Sequence, residues 1–133
     1  MMQNLIPKKE EEERRLKALA EYRILGTKPE SCYDDITKIA ASTCDVPISL
    51  MTLVDRDKQW FKSKVGLEIT ETKRDWSFCT HAIQENSPLI IQDAFQDERF
   101  INNPLVTGDP KIRFYAGFPL KNRDGNKLGT LCV

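Results

Sequence analysis

The side chains of this sequence best suited to chemistry are one histidine, four cysteines and two small clusters of charged and aromatic residues. His81 stands two residues after Cys79. On a helix, at about 100° per residue, the two side chains diverge by about 160°, so they cannot close on one metal ion. Phe78, Cys79, Ala82 and Ile83 share one face of such a helix. That makes Cys79 a small buried hydrophobe and His81 a rim residue. The other use open to them is ligand contact near the helix N-terminus, where a thiol becomes more acidic. One histidine cannot serve a Ser/His/Asp or Cys/His/Asn set that the sequence would allow us to assemble. Cys32, Cys44, Cys79 and Cys132 lie 12, 35 and 53 residues apart, which fits no zinc pattern. Four are too few for a disulfide scaffold in a chain of this length, so they read as reduced thiols.

Asp93, Asp97, Glu98, Arg99 and Asn103 form a second cluster. As a surface loop it would be held by Asp–Arg hydrogen bonds and an Asx turn at Asn103-Pro104. As a lid it would offer Arg99 to an anion or a carbonyl. Asp93 is the first candidate to anchor Arg99, and Asp97 the second. In Arg113-Phe114-Tyr115, a strand would put Arg113 and Tyr115 on one face and Phe114 on the other. That face is either edge and core or the lining of a cavity. Trp60 and Phe61 suit a core or an interface. No Walker loop and no dinucleotide fingerprint is present.

The elements that must position these residues follow from periodicity. Residues 10–25 predict a helix with acid-first pairs Glu10/Arg14, Glu11/Arg15 and Glu13/Lys17 and an apolar stripe of Leu16, Leu19, Ala20 and Ile24. The stripe either packs on its own domain or meets a second copy. Gly26 is the expected stop. A second helix starts at Ser31, with Asp34 three residues on as in a capping box. Residues 48–54 and 59–65 predict a hairpin around the polar turn 55–58. A third helix over 76–86 has Ser77 as its N-cap and Ser87-Pro88 as its stop. Strands follow at 89–92, 112–120 and 128–133, with a polar connection over 93–108 and a turn at Asp124-Gly125. The order ααββαβββ indicates an α+β domain with a mainly antiparallel sheet.

At 133 residues, 40% hydrophobic and 30% charged, the chain suits one globular domain. Residues 1–9 are expected to be a flexible tail and 10–133 the domain. A net charge of zero argues against bulk electrostatic binding of nucleic acid. The longest apolar stretch, 47–54, is far too short to span a bilayer. No secretory signal opens the chain, so a cytoplasmic protein is expected.

Several ordered motifs carry a resemblance. They include Gln59-Trp60-Phe61-Lys62-Ser63, Ser77-Phe78-Cys79-x-His81-Ala82-Ile83 and Asp93-Ala94-x-x-Asp97-x-Arg99-Phe100. Asn103-Pro104-Leu105-Val106-x-Gly108, Ile112-Arg113-Phe114-Tyr115-Ala116-Gly117 and Leu128-Gly129-Thr130-Leu131-Cys132-Val133 complete the series. Over about residues 10–133 the chain resembles the GAF domains of bacterial histidine kinases and diguanylate cyclases. The resemblance implies a profilin-like antiparallel sheet of five to six strands with helices on both sides, the family's final C-terminal helix being missing. It implies a non-catalytic sensory module of two-component or related signalling, and a homodimer through helices with Leu16, Leu19 and Ile24 at the contact. The kinase or cyclase effector would lie outside this chain, with neither nucleic acid nor membrane as partner. The implied pocket brings together Trp76, Phe78, Cys79, His81, Asp93, Arg99, Phe100, Asn103, Arg113 and Tyr115 around an unidentified small molecule. No cofactor is expected: bilin-binding relatives use a Cys directly followed by His, whereas Thr80 separates Cys79 from His81. The alternatives are a small redox enzyme of the same fold that reduces free methionine sulfoxide, using Cys79 and Cys132, and a ligand-free dimerisation domain.

Overall fold

Two consecutive strands, β1 (Ser49–Val54) and β2 (Lys58–Val65), form the expected hairpin. The amide of Asp55 closes its turn on the carbonyl of Lys58 at 2.8 Å. This computed structural model describes residues 5–133, and the tail expected over 1–9 lies outside it for residues 1–4. The remaining strands are β3 (Glu71–Lys73), β4 (Leu89–Ile91), β5 (Tyr115–Lys121) and β6 (Lys127–Cys132). All neighbours pair antiparallel, in the order β3-β2-β1-β6-β5-β4. β1 is central, and all six of its residues are buried, because both of its faces are covered. Gly129 of β6 lies opposite Leu53, where a Cβ would collide with the carbonyl of Thr52. The close approach of the two central strands therefore requires glycine.

Two helices, α1 (Leu5–Glu21) and α2 (Ser31–Cys44), cover one sheet face. Ala18 and Leu19 of α1 pack with Leu53 and Leu128, and Ile24 and Trp60 border them. The opposite face carries the larger core, closed by the short helices α3 (Phe78–Ala82) and α4 (Pro104–Thr107).

Several boundaries differ from the sequence reading. The first helix starts at Leu5 rather than 10 and ends at Glu21 rather than 25. Arg23 takes the left-handed conformation at φ 51°, so the chain turns three residues before Gly26. None of the three acid-first pairs forms an ion pair; Glu12 binds Arg15 and Glu13 binds Arg56 instead. Ser31 is inside α2, whose N-cap is Glu30, and Asp34 accepts from Ser63 Oγ rather than closing a capping box. The third helix stops at Ala82 rather than 86; beyond it the Gln84 and Glu85 amides make only turn bonds, to the carbonyls of His81 and Ala82, and residues 84–87 are exposed. β5 starts at Tyr115, three residues later than expected. Lys111 is left-handed at φ 59°, and the Ile112 amide binds Leu105 of α4 rather than a strand.

Candidate functional site

Ser77 makes the predicted cap: its Oγ accepts from the Thr80 amide at 3.2 Å and donates to Gln59 Oε1 at 2.7 Å. This cap fixes α3 above the sheet with Phe78, Cys79 and Ala82 inward. Cys79 Sγ then meets three groups of the sheet. Thr130 Oγ1 donates to it at 3.0 Å and Tyr115 Oη at 3.2 Å, while Cys132 Sγ stands 3.9 Å away. Thr52 Oγ1 lies 3.0 Å behind Thr130 Oγ1, which extends the chain of hydroxyls. Tyr115 reaches the sulfur by folding over Gly117, where a Cβ would overlap its phenol ring.

Burial pushes the Cys79 thiol up, but hydrogen bonds involving Cys132, Thr130, Thr52 and Tyr115 outweigh it and hold the thiol down at about 6. The contact with Cys79, then burial, pushes Cys132 well above the usual thiol value. Burial first, and then negative charge at the two sulfurs, raises Tyr115. Of the pair, Cys79 is the acidic sulfur.

Cys79, Cys132 and Tyr115 form the floor of an apolar cleft of about 80 Å³, with Thr130 and Thr52 buried behind them. Phe61, Leu67, Ile69, Leu105, Ile112 and Phe114 supply much of its wall, and no charged side chain lines it. The space suits several waters or one small organic molecule. Of the predicted pocket residues, Phe78, Cys79 and Tyr115 line this cleft. Phe100 stacks on Phe78 at 4.1 Å and is buried behind it. Asn103 ties two segments together, donating to the Trp76 carbonyl at 3.0 Å and capping α4 through the Leu105 amide. Trp76 packs against the core beside this bond.

His81, Asp93, Arg99 and Arg113 stand outside the cleft. His81 is half-buried, edge-on to Phe100 at 4.9 Å. Burial, and then the charge of Arg99, lower its pKa below the usual histidine value. Asp93 caps a 3-10 turn over Ala94–Gln96 by accepting from the Phe95 amide, and Asp97, the second candidate, holds Arg99 at 2.8 Å. Arg113 is exposed over the Phe95 ring and donates to the Val106 carbonyl; it precedes the strand and does not share the Tyr115 face. Leu16 and Leu19, expected at a dimer contact, are buried within the chain, with Ile24 partly buried beside them.

Sequence reasoning missed the wall formed by Leu67 and Ile69. Their i,i+2 spacing before the three-residue β3 was the available signal. A second, larger depression of about 510 Å³ beside α1 is polar, and Glu12 within it binds both Arg15 and Arg74. Among the described residues no group of three His, Cys, Asp or Glu side chains is placed to hold a metal ion. No helix among them is long and apolar enough to cross a membrane.

Comparison with known proteins extends this geometry. The sequence model of the GAF domain family matches residues 28–133. The chain is 39% identical over 127 residues to a cyclic di-GMP phosphodiesterase of Pseudomonas aeruginosa, a match taking in 96% of this chain. It spans only 22% of that enzyme's length. The fold is similar to the GAF domain of a phosphoenolpyruvate-protein phosphotransferase from Coxiella burnetii, with TM-score 0.62, 12% identity, and 92% and 76% of the two chains covered. The corresponding domain from Acinetobacter gives TM-score 0.59 at 17% identity, covering 92% and 75%. A type II free methionine-R-sulfoxide reductase from Thermoplasma acidophilum gives TM-score 0.61 at 13% identity, covering 86% and 74%. At these identities the likeness is one of fold.

Proposed function

The chain belongs to the GAF domain family, and from that premise we propose that it is a sensory module without catalysis of its own. It binds a small uncharged molecule in the cleft above Cys79 and reports occupancy to an effector outside this chain. The observation that carries the reading is the cleft itself. Its apolar walls favour an apolar ligand, and Tyr115, with Gln59 and Thr72 on the wall, supplies the few polar groups that would orient one. The similarity to a phosphodiesterase of which this chain spans 22% supports an effector beyond it, of cyclase, kinase or related type in bacterial signalling. We further propose a homodimer through the outer face of α2, since Leu16 and Leu19 of α1 are buried within the chain whereas Ile36 and Ile39 are exposed.

Native mass spectrometry of freshly purified protein tests the ligand. An adduct is expected, and Ile69→Trp, at the exposed rim, should remove it without entering the core. Protein that carries no adduct, and that a panel of small apolar molecules does not stabilise against heat, would overturn the reading. A second reading, a cysteine-based reductase, is favoured by one observation: the two sulfurs at 3.9 Å in the cleft floor. An assay of thiol consumption with free methionine sulfoxide separates the two, and no turnover is expected.

A further inference from the structure

Cys32 and Cys44 are exposed, whereas Cys79 and Cys132 are buried together under the cleft. A buried thiol is ordinarily inert, since no reagent reaches it and burial disfavours the thiolate. Here both conditions are lifted. Both cysteines line the cleft, so a molecule small enough to enter meets them. The hydroxyls of Thr130 and Tyr115 aim at Cys79 Sγ and would hold a thiolate there. The second sulfur is already in place 3.9 Å away, on the strand beneath.

We propose that Cys79 and Cys132 are a peroxide-responsive dithiol, which closes to an intramolecular disulfide when a small uncharged hydroperoxide enters the cleft. Cys79 gives up its proton, and its sulfur attacks one peroxide oxygen. A sulfur–oxygen bond forms, the oxygen–oxygen bond breaks, and the departing oxygen takes a proton and leaves as water or an alcohol. Cys132 then loses its proton and attacks the Cys79 sulfur. The disulfide forms, the sulfur–oxygen bond breaks, and the hydroxide leaves as water with that proton. Two thiols are oxidised by two electrons in all, and one peroxide is reduced by two. The acidity of Cys79 relative to Cys132 sets this order of attack. The cleft's lack of charged lining residues selects neutral oxidants over anionic ones.

The closure has a structural consequence. A disulfide holds its sulfurs at about 2.05 Å, so the Cys79 and Cys132 side chains must close on each other from their present 3.9 Å. Tyr115 and Thr130 then lose the sulfur they donate to, and the floor of the cleft is rebuilt. Oxidation would therefore change what the cleft binds. The proposal goes beyond ligand sensing and needs no resident ligand.

The test uses the full chain carrying Cys32→Ser and Cys44→Ser, treated with a several-fold excess of hydrogen peroxide, alkylated and mapped by mass spectrometry. The intact mass should fall by two hydrogens. The non-reduced digest should link the Cys79 and Cys132 peptides, and dithiothreitol should undo the link. Adding Cys132→Ser should instead leave one oxygen on Cys79, trapped by a dione reagent. Should either buried Cys→Ser change unfold the chain, Tyr115→Phe keeps the ring and removes one donor. It should slow oxidation roughly tenfold, the weight of one hydrogen bond to a charged sulfur. The proposal is overturned if both buried thiols stay reduced under peroxide that oxidises Cys32 and Cys44 in the unaltered chain. It is equally overturned if they link only after denaturation, or if Tyr115→Phe oxidises at the unaltered rate. These readouts require no bound molecule, so failure of the ligand reading and failure of this one are seen separately.

Discussion

Gly117 decides whether a phenol hydroxyl reaches Cys79. A Cβ at that position would occupy the space the Tyr115 ring uses, so Gly117→Ala should expel the ring. We expect a loss of about 1–3 kcal/mol in chemical denaturation, the usual cost of overpacking. The pH midpoint of Cys79 alkylation should also rise toward the ordinary thiol value, since one of its donors leaves. An unchanged midpoint would show that Tyr115 plays no part in the acidity. His81 offers a second check because it is the only histidine and gives one set of ring signals in NMR. Burial, with the Arg99 charge beside it, should place its titration below the usual 6.5. The folded state resists its protonation, so its contribution to stability is present above pH 6.5 and declines as pH falls below that. Arg99→Ala should raise the titration without restoring it fully, since burial is the larger cause. At this scale the sequence made the apolar face of α3 legible: Phe78 and Cys79 line the cleft as helical spacing implies. It did not separate Arg99 and Arg113 from the site, because the charge of a residue says nothing about where a loop points it.

The first helix is fastened to the far side of the sheet by one carboxylate. Glu12 of α1 accepts from Arg15 at 2.9 and 3.0 Å and from Arg74 at 2.6 and 3.3 Å. Arg74 opens the 3-10 turn before α3, and its carbonyl accepts from Thr80 of that helix. Arg15 in turn donates to the Val54 carbonyl of β1 at 2.6 Å. A shift of α3 therefore has a short route of hydrogen bonds to α1. Burial raises the Glu12 carboxyl, but the hydrogen bonds and charges of both arginines outweigh it and hold it at about 2. The folded value lies below the ordinary 4.5, so the stabilisation is complete above pH 4.5 and lost as pH falls toward 2. Glu12→Gln should cost about 1–2 kcal/mol at pH 7, after allowance for screening of a partly exposed group. The penalty should vanish near pH 2, a trend that urea melts across pH would read directly. Helix and strand existence was legible in this chain, because periodicity and turn residues act locally. The helix ends were less so. Nothing in the sequence marks Arg23, rather than Gly26, as the residue that turns left-handed, and the pairing of Glu12 with Arg74 spans 62 positions.

For the molecule as a whole, the order of helices and hairpins was enough to give an α+β domain with a mainly antiparallel sheet, and helices on both of its faces came from the resemblance. The cleft was not legible, because β2, β5, β6, α3, α4 and the segments around them each contribute only one or a few side chains to it. The same limit left open what the α1 stripe meets. A single apolar stripe does not state what it meets; here Leu16 is buried within the chain and Leu19 packs on Leu53 and Leu128 of the sheet. Among the residues whose exposure is described, Tyr22 after α1 and Ile36 and Ile39 of α2 are exposed large apolar side chains, the last 65% exposed. Self-association should therefore depend on Ile39→Asp, which we expect to weaken it tenfold or more (about 1.4 kcal/mol). Light scattering behind size-exclusion chromatography over a dilution series would read this. A monomer at high micromolar concentration would refute it. The two outermost strands carry a different implication. β3 and β4 are each three residues long, so the sheet ends on both sides in a short run of open backbone groups. A template that short gives another chain little to zip onto. The protein should thus resist fibre growth from its folded state even when concentrated enough to pair through its helices, and should stay clear on storage.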